Sequence, residues 1–250
     1  MKSKRIIMII SLLVVLGVNF LANTLPINGL TTGEVSDQFP ILFVPAGYVF
    51  SIWGLIYFAL IAFSIYSITP KGLANQDIDG ITGWFVAANL FNAAWIFLWH
   101  YLQFLLTLIP IFGLLISLLA IYLKLRVGRK QRKFVEKLLV EVPFGIYLGW
   151  ATVAVVANVS QVLFSEGWQG ASLSAPIWTV LMLTVATLLG VLMIFTRKEI
   201  AYPLVLAWAF VGIYIKHGSV PLVAITALVA AILLAVLTVA RPVLMRSKNA

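Results

Sequence analysis

Eight apolar segments, 6–23, 44–68, 82–101, 103–123, 138–163, 174–196, 200–215 and 218–240, carry one carboxylate between them, Glu141, and no lysine or arginine. Nothing else in the chain limits its fold so strongly. A helix that is apolar all round over about 18 or more residues has no aqueous face to present and belongs in a bilayer. In hydrocarbon every backbone N–H and C=O must be satisfied within the structure, which leaves helices and closed barrels. The period-two alternation of barrel strands is absent. The expected fold class is therefore an all-α integral membrane protein with about eight transmembrane helices. Composition agrees, with 10% charged residues against about a quarter in a soluble domain.

The stretch from Thr82 to Leu123 is too long for one span, and His100-Tyr101-Leu102-Gln103 reads as a tight hairpin within it. The net charge of +9 invites a nucleic-acid partner, but the basic residues sit in the gaps between spans, where membrane topology puts them. With the N-terminus inside, the cytoplasmic segments hold Lys2, Lys4, Arg5, Lys71, the block Lys124 to Lys137, Arg197, Lys198, Arg241, Arg246 and Lys248; only Lys216 falls outside. This asymmetry predicts cytoplasmic N- and C-termini; the plasma (inner) membrane is the expected location, and no nucleic-acid partner is expected. The basic block 124–137 is read as topology and anionic-lipid contact. Segment 200–215 is the weakest span, being short and carrying Pro203; a re-entrant path there would put the C-terminus outside. The first apolar run exceeds the usual signal-peptide core and lacks a small-x-small site after it, so a retained helix is expected.

Little in the chain suits acid–base or nucleophilic catalysis. Cysteine is absent and only His100 and His217 are present, which removes thiolate chemistry and makes a histidine metal site improbable. No pair of buried carboxylates is evident, and no metal or required cofactor is expected. Glu141 is read as an interfacial carboxylate paired with Lys137, and His100 as a solvated histidine at the outer end of span three. The candidates that remain are uncharged polar and aromatic residues on helical stripes. Phe50, Trp53, Tyr57 and Ser64 share one in span two, and Asn92, Trp95 and Trp99 another in span three. Tyr147, Trp150, Ala154, Asn158 and Gln161 form a third in span five. By rise per residue, Trp53, Trp95 and Trp150 lie at similar depth, toward the outer leaflet. One cavity facing them would suit a flat, largely apolar ligand with a few polar handles. Ordinary packing competes with that reading. Trp84, Trp168 and Trp178 near helix ends are interface residues, asparagines can bond between helices, and Gly145-Ile-Tyr-Leu-Gly149 is a close-packing step.

At these stripes the chain resembles the tryptophan-rich sensory protein family, also called TspO or translocator proteins. Tyr147-Leu-Gly-Trp150-Ala-Thr-Val-Ala154-Val-Val-Ala-Asn158 is similar to the family's Tyr-Leu-x-Trp-x-x-Phe-Ala-x-x-Leu-Asn helix. Asn92-Ala-Ala-Trp95 resembles Asn-x-x-Trp, and Pro45-Ala-Gly-Tyr-Val-Phe50 resembles Pro-Pro-Gly-Trp-Val-Phe. Trp53-Gly-Leu-Ile-Tyr57 is similar to the Trp-x-x-x-Tyr that follows. Ala46 replaces the second proline, the interval from Phe50 to Trp53 is one residue shorter, and Val153 replaces phenylalanine. The resemblance covers about residues 1–165, implying a five-helix bundle there and a three-helix extension over 166–250. It implies a membrane-embedded receptor, sensor or carrier for a porphyrin, another haem-like tetrapyrrole or a sterol-like molecule. Trp53, Tyr57, Asn92, Trp95, Tyr147, Trp150, Ala154 and Asn158 would line the pocket and segment 24–43 would be its lid. It leaves sensing, transport and tetrapyrrole photodegradation open and allows a homodimer. A permease or exporter subunit is the alternative from a different class, distinguished by net flux of a substrate.

Overall fold

The computed structural model describes residues 2–25, 27–167 and 173–246, with the side chains of 243–246 excepted. Among these residues there are helices and no strands. Eight long helices carry the fold: α1 (Lys2–Thr24), α2 (Ile52–Ser67), α3 (Gln76–His100), α4 (Phe104–Lys124), α5 (Val142–Ser165), α6 (Ala175–Arg197), α7 (Ala201–Lys216) and α8 (Pro221–Arg246). Among the described residues, seven helical segments are long and apolar enough to cross a membrane. The eighth, α7, has 16 residues, about 24 Å at the α-helical rise, short of a hydrocarbon core about 30 Å thick. It is nevertheless one continuous helix. Its first N–H groups lie at Glu199, and its far end brings Lys216 to Asp37 at 2.7 Å. It therefore joins the two ends of the bundle and is not re-entrant. The placements read for Pro26, Trp168, the Arg246 side chain and Lys248 lie outside the described residues.

Helix α5 is the axis of the molecule. It packs on α2, α4 and α7, while α1 lies on α3 and α6 and α8 lie on α7. Its apolar stretch is 78% buried, against 33–44% for the other six spans. Small residues make this possible. A Cβ at Gly149 would lie 3.0 Å from the Tyr202 carbonyl oxygen, and one at Gly145 would lie 2.9 Å from Glu199 Oε1. The expected close-packing step therefore seats α5 on α7.

Several boundaries differ from the sequence reading because charges join helix ends. Helix α3 begins at Gln76, six residues before the expected span, with Asn75 as its cap. Asp77 and Asp79 fall in its first turn, where carboxylates favour the helix dipole. Both are neutralised: Asp77 by Arg132 at 2.6 Å and by Lys130, and Asp79 by Arg5 at 3.2 Å. Span five likewise extends back to Phe134. A π-helical turn over Lys137–Glu141 precedes Pro143. Proline has no N–H and its ring clashes with the carbonyl four residues back, so a wider turn there relieves both problems.

The partner expected for Glu141 is corrected. Glu141 pairs at 2.9 Å with Arg132, whose side chain is 1% exposed and also holds Asp77 and Glu136 at 2.6 Å each. Burial draws the Arg132 pKa down, but the hydrogen bonds and charges of Asp77 and Glu136 outweigh it and raise the value. The absence of paired buried carboxylates is also corrected. Glu199 is buried along with Glu141, and both border one groove at the basic end. Read in sequence, Glu199 falls in a turn between spans. The loop after α4 closes over that turn, with Gly128 against the Arg197 carbonyl and the Tyr122 hydroxyl donating to Glu199 Oε2 at 3.0 Å.

Candidate functional site

The three helical stripes converge at the end of the bundle opposite the basic loops. The Trp53 ring stacks on Tyr57 at 5.4 Å between centroids and presents edges to Tyr147 and Trp150 at 5.9 and 6.2 Å. Phe50 meets Trp150 edge to face, and Trp95 stacks on Trp99 at 4.9 Å. Trp53, Trp95, Trp150, Ala154 and Asn158 all border a single inner cavity of about 50 Å³, so the inferred common depth of the three tryptophans holds. Phe50, Trp99, Val153 and Gln161 border it as well.

Polar side chains cross-link these helices. Asn92 donates to the Tyr147 hydroxyl at 2.9 Å and accepts from Asn19 at 2.8 Å. Trp95 donates its indole N–H to Asn158 Oδ1 at 2.7 Å, and Asn158 donates to Thr107 at 2.8 Å. Asn92 and Tyr147, both expected in the pocket, border neither cavity of this region. They are buried at 1% and 2% exposure and bond α1, α3 and α5 together. Asn19, the third member, escaped the sequence reading because a lone asparagine in an apolar run carries no signal of its partner.

Three buried polar atoms at the site are unpartnered among the described residues: the Tyr57 hydroxyl, Trp150 Nε1 and Gln161 Nε2. Trp150 and Gln161 both border the inner cavity. A buried donor left unsatisfied costs about 1–3 kcal/mol.

A second space lies on the other side of Phe50 and Trp53. It is a groove of about 660 Å³ between α1 and α2, bordered by Leu16, Asn19, Phe20, Asn23, Tyr57 and Ile96. Thr32, Phe50 and Trp53 border both spaces. The inner cavity alone is far below the roughly 300–1,000 Å³ of ordinary ligand sites, whereas the groove lies within that range.

Residues 27–43 cover this end. Thr31 and Glu34 form a reciprocal capping box at the start of a short helix, Thr32–Ser36. The Glu34 carboxyl pKa is lowered by the Thr31 backbone N–H and hydroxyl it accepts from. Trp99 donates to the Thr32 carbonyl at 3.2 Å, and the His100 ring lies 3.0 Å from the Thr32 hydroxyl and 3.1 Å from the Ile27 carbonyl. His100 is completely buried, not solvated as its place at a helix end implies, because the segment folds over it. The strap that follows is held from α7. Trp208 donates to the Val49 carbonyl and Ala46 N–H to the Gly212 carbonyl, and the His217 ring meets the Val44 carbonyl at 3.0 Å. Burial lowers the His217 pKa below the ordinary imidazole value.

These features define an all-helical integral membrane protein with an aromatic-walled site under a folded surface segment. A family model described as TSPO-like protein matches residues 5–240, and the chain belongs to that family. The match extends through α6 and α7 and nearly to the end of α8 as well as through the first five helices. Membership places the protein among membrane sensors and binding proteins. No curated protein and no solved structure matches the chain.

Proposed function

We propose that this protein is a membrane-embedded receptor or carrier for a flat, largely apolar ligand with polar substituents, a porphyrin or other tetrapyrrole being the favoured class. The observation that supports this reading is the pairing of an aromatic wall with unpartnered polar atoms. Phe50 and Trp53 offer stacking surface to the groove between α1 and α2, and Tyr57 borders it too, its buried hydroxyl without a hydrogen-bond partner among the described residues. A macrocycle of several hundred Å³ lies in the groove against Trp53. A substituent passing Phe50 enters the inner cavity, which Trp150 and Gln161 border. The basic end faces the cytoplasm, by the excess of lysine and arginine there, and the site opens toward the opposite leaflet.

Titration of the detergent-purified protein with protoporphyrin IX, read by porphyrin absorbance, tests this. Saturable binding at micromolar or tighter affinity is expected. Trp53→Ala should weaken it at least about tenfold, or ~1.4 kcal/mol. Trp84→Phe, at a helix face remote from both cavities, should leave it unchanged. No binding, or equal binding by a folded Trp53→Ala protein, overturns the tetrapyrrole reading and favours a permease.

A further inference from the structure

A third space, which shares no bordering residue with the inner cavity or the groove at the aromatic site, has a different chemistry. It is a groove of about 630 Å³ between α2, the helical stretch 134–146 and α7. Its walls are apolar: Ile52 and Leu55 from α2, Leu138 and Ile146 from the stretch leading into α5, and Leu204 and Trp208 from α7. Leu55, Leu138, Leu204 and Trp208 are each 39–51% exposed, so the groove opens sideways from the bundle, where the bilayer lies. From Ile200 to Trp208 it follows eight residues of helix, about 12 Å, close to the ~15 Å hydrocarbon depth of one leaflet.

The charged groups that border the groove gather at one end. Lys137 and Lys198 stand there beside Gly128, Glu141 and Glu199. The carboxylates are already engaged. Glu141 is bound by Arg132, and Glu199 accepts from the Tyr122 hydroxyl and from the Ile200 and Ala201 N–H groups. Lys130 and Arg132, on the same side of the molecule, are bound to Asp77. By contrast, among the described residues neither Lys137 nor Lys198 has a carboxylate within salt-bridge distance. Both lysines are exposed. Lys198 also sits at the C-cap of α6 with φ 56°, a left-handed position that glycine or asparagine fills at lower cost. Lys137 opens the π-helical turn, a distortion often found at functional positions.

We infer that this groove is a seat for one anionic glycerophospholipid of the leaflet at the basic end, with an acyl chain along α7 and the headgroup phosphate between Lys137 and Lys198. Charge complementarity selects the occupant. A neutral lipid gives neither ammonium group an anion within salt-bridge distance, and a soluble anion leaves the apolar walls uncovered. This seat differs from diffuse attraction to the whole basic end, because it depends on two particular lysines and on the shape of the groove.

The test uses the full-length protein, delipidated in a neutral detergent, and compares phosphatidylglycerol with phosphatidylcholine of the same chains by native mass spectrometry. Phosphatidylglycerol should bind at least about tenfold tighter, as two nearby lysines permit. Lys137→Gln with Lys198→Gln should abolish that preference, while Lys124→Gln with Arg129→Gln, basic-end residues outside the groove, should keep it. Leu204→Trp, which fills the groove, should weaken phosphatidylglycerol binding, and it decides the matter if the double lysine variant loses its fold. Soluble glycerol phosphate should not compete. Equal affinity for the two lipids, a preference surviving the groove variants, an equal loss in the Lys124 and Arg129 variant, or full competition by glycerol phosphate would each overturn the proposal.

Discussion

Arg132 shows how one residue can hold several elements. It follows α4 in the loop, yet its guanidinium is bound to Asp77 at the start of α3, to Glu136 before the π-helical turn and to Glu141 within it. It also donates to the Leu125 carbonyl at 3.0 Å. Five donors on a rigid fork suit this multiple engagement, and lysine could not reproduce it. Breaking a buried pair leaves its partner uncompensated, at a cost of roughly 3–5 kcal/mol. Arg132→Met should therefore lower the unfolding temperature of the detergent-solubilised protein markedly. Lys133→Met, one residue along and exposed, should leave it nearly unchanged. Equal melting of the two variants would show that the network contributes little. The aromatic stripes were legible at this scale because helical spacing puts Trp53 and Tyr57, or Trp95 and Trp99, on one face. The environment of His100 was not, since its burial depends on where segment 24–43 lies.

At the scale of elements, close approach decides the contacts of α5. Its two glycines meet α7 where an added Cβ would lie 3.0 Å from the Tyr202 carbonyl oxygen or 2.9 Å from Glu199 Oε1, tighter than ordinary packing. Gly149→Leu has no space to enter and should cost about 1–3 kcal/mol through overpacking. Gly54→Ala, where nothing lies within 4 Å of the added Cβ, should change stability by less than ~1 kcal/mol. Thermal unfolding of both variants in one detergent checks this; an equally stable Gly149→Leu protein would mean that α5 and α7 can separate without loss. The hairpin between α3 and α4 was legible because the apolar run was too long for one helix. Leu102 takes φ 57° there, and Gln103 N–H reaches the Leu98 carbonyl at 2.9 Å, closing the end of α3. The start of α3 was missed because two aspartates look like loop until their cationic partners are known.

Across the whole molecule, the last three helices share one core with the first five. Residues from α1, α2, α3, α4 and α5 belong to the same hydrophobic cluster as Leu183, Leu206, Phe210 and Leu234. Helix α7 also holds the strap over the aromatic site through Trp208, Gly212 and His217. A chain ending at residue 167 would expose the α7-facing side of α5 and release that strap. It should aggregate or be cleaved rapidly in limited proteolysis under conditions where the full chain is monodisperse and resistant. A stable, monodisperse 1–167 fragment would show that the five-helix part folds by itself.

The membrane class, the helical fold and the approximate spans were determined by the sequence alone, because hydrocarbon imposes its rule locally. Each segment must be apolar and must satisfy its own backbone, and both properties are visible in a single window of residues. The grouping of lysine and arginine at one end is local in the same way. Which stripes meet was decided only by the tertiary structure. Asn92 became a cross-link because Asn19 and Tyr147 arrive from other helices, and Glu141 found Arg132 because a loop folds back. The site is divided into a small inner cavity and a larger groove because Phe50 and Trp53 stand between them. Such outcomes depend on distances between residues far apart in the chain, and periodicity along one helix carries no record of them.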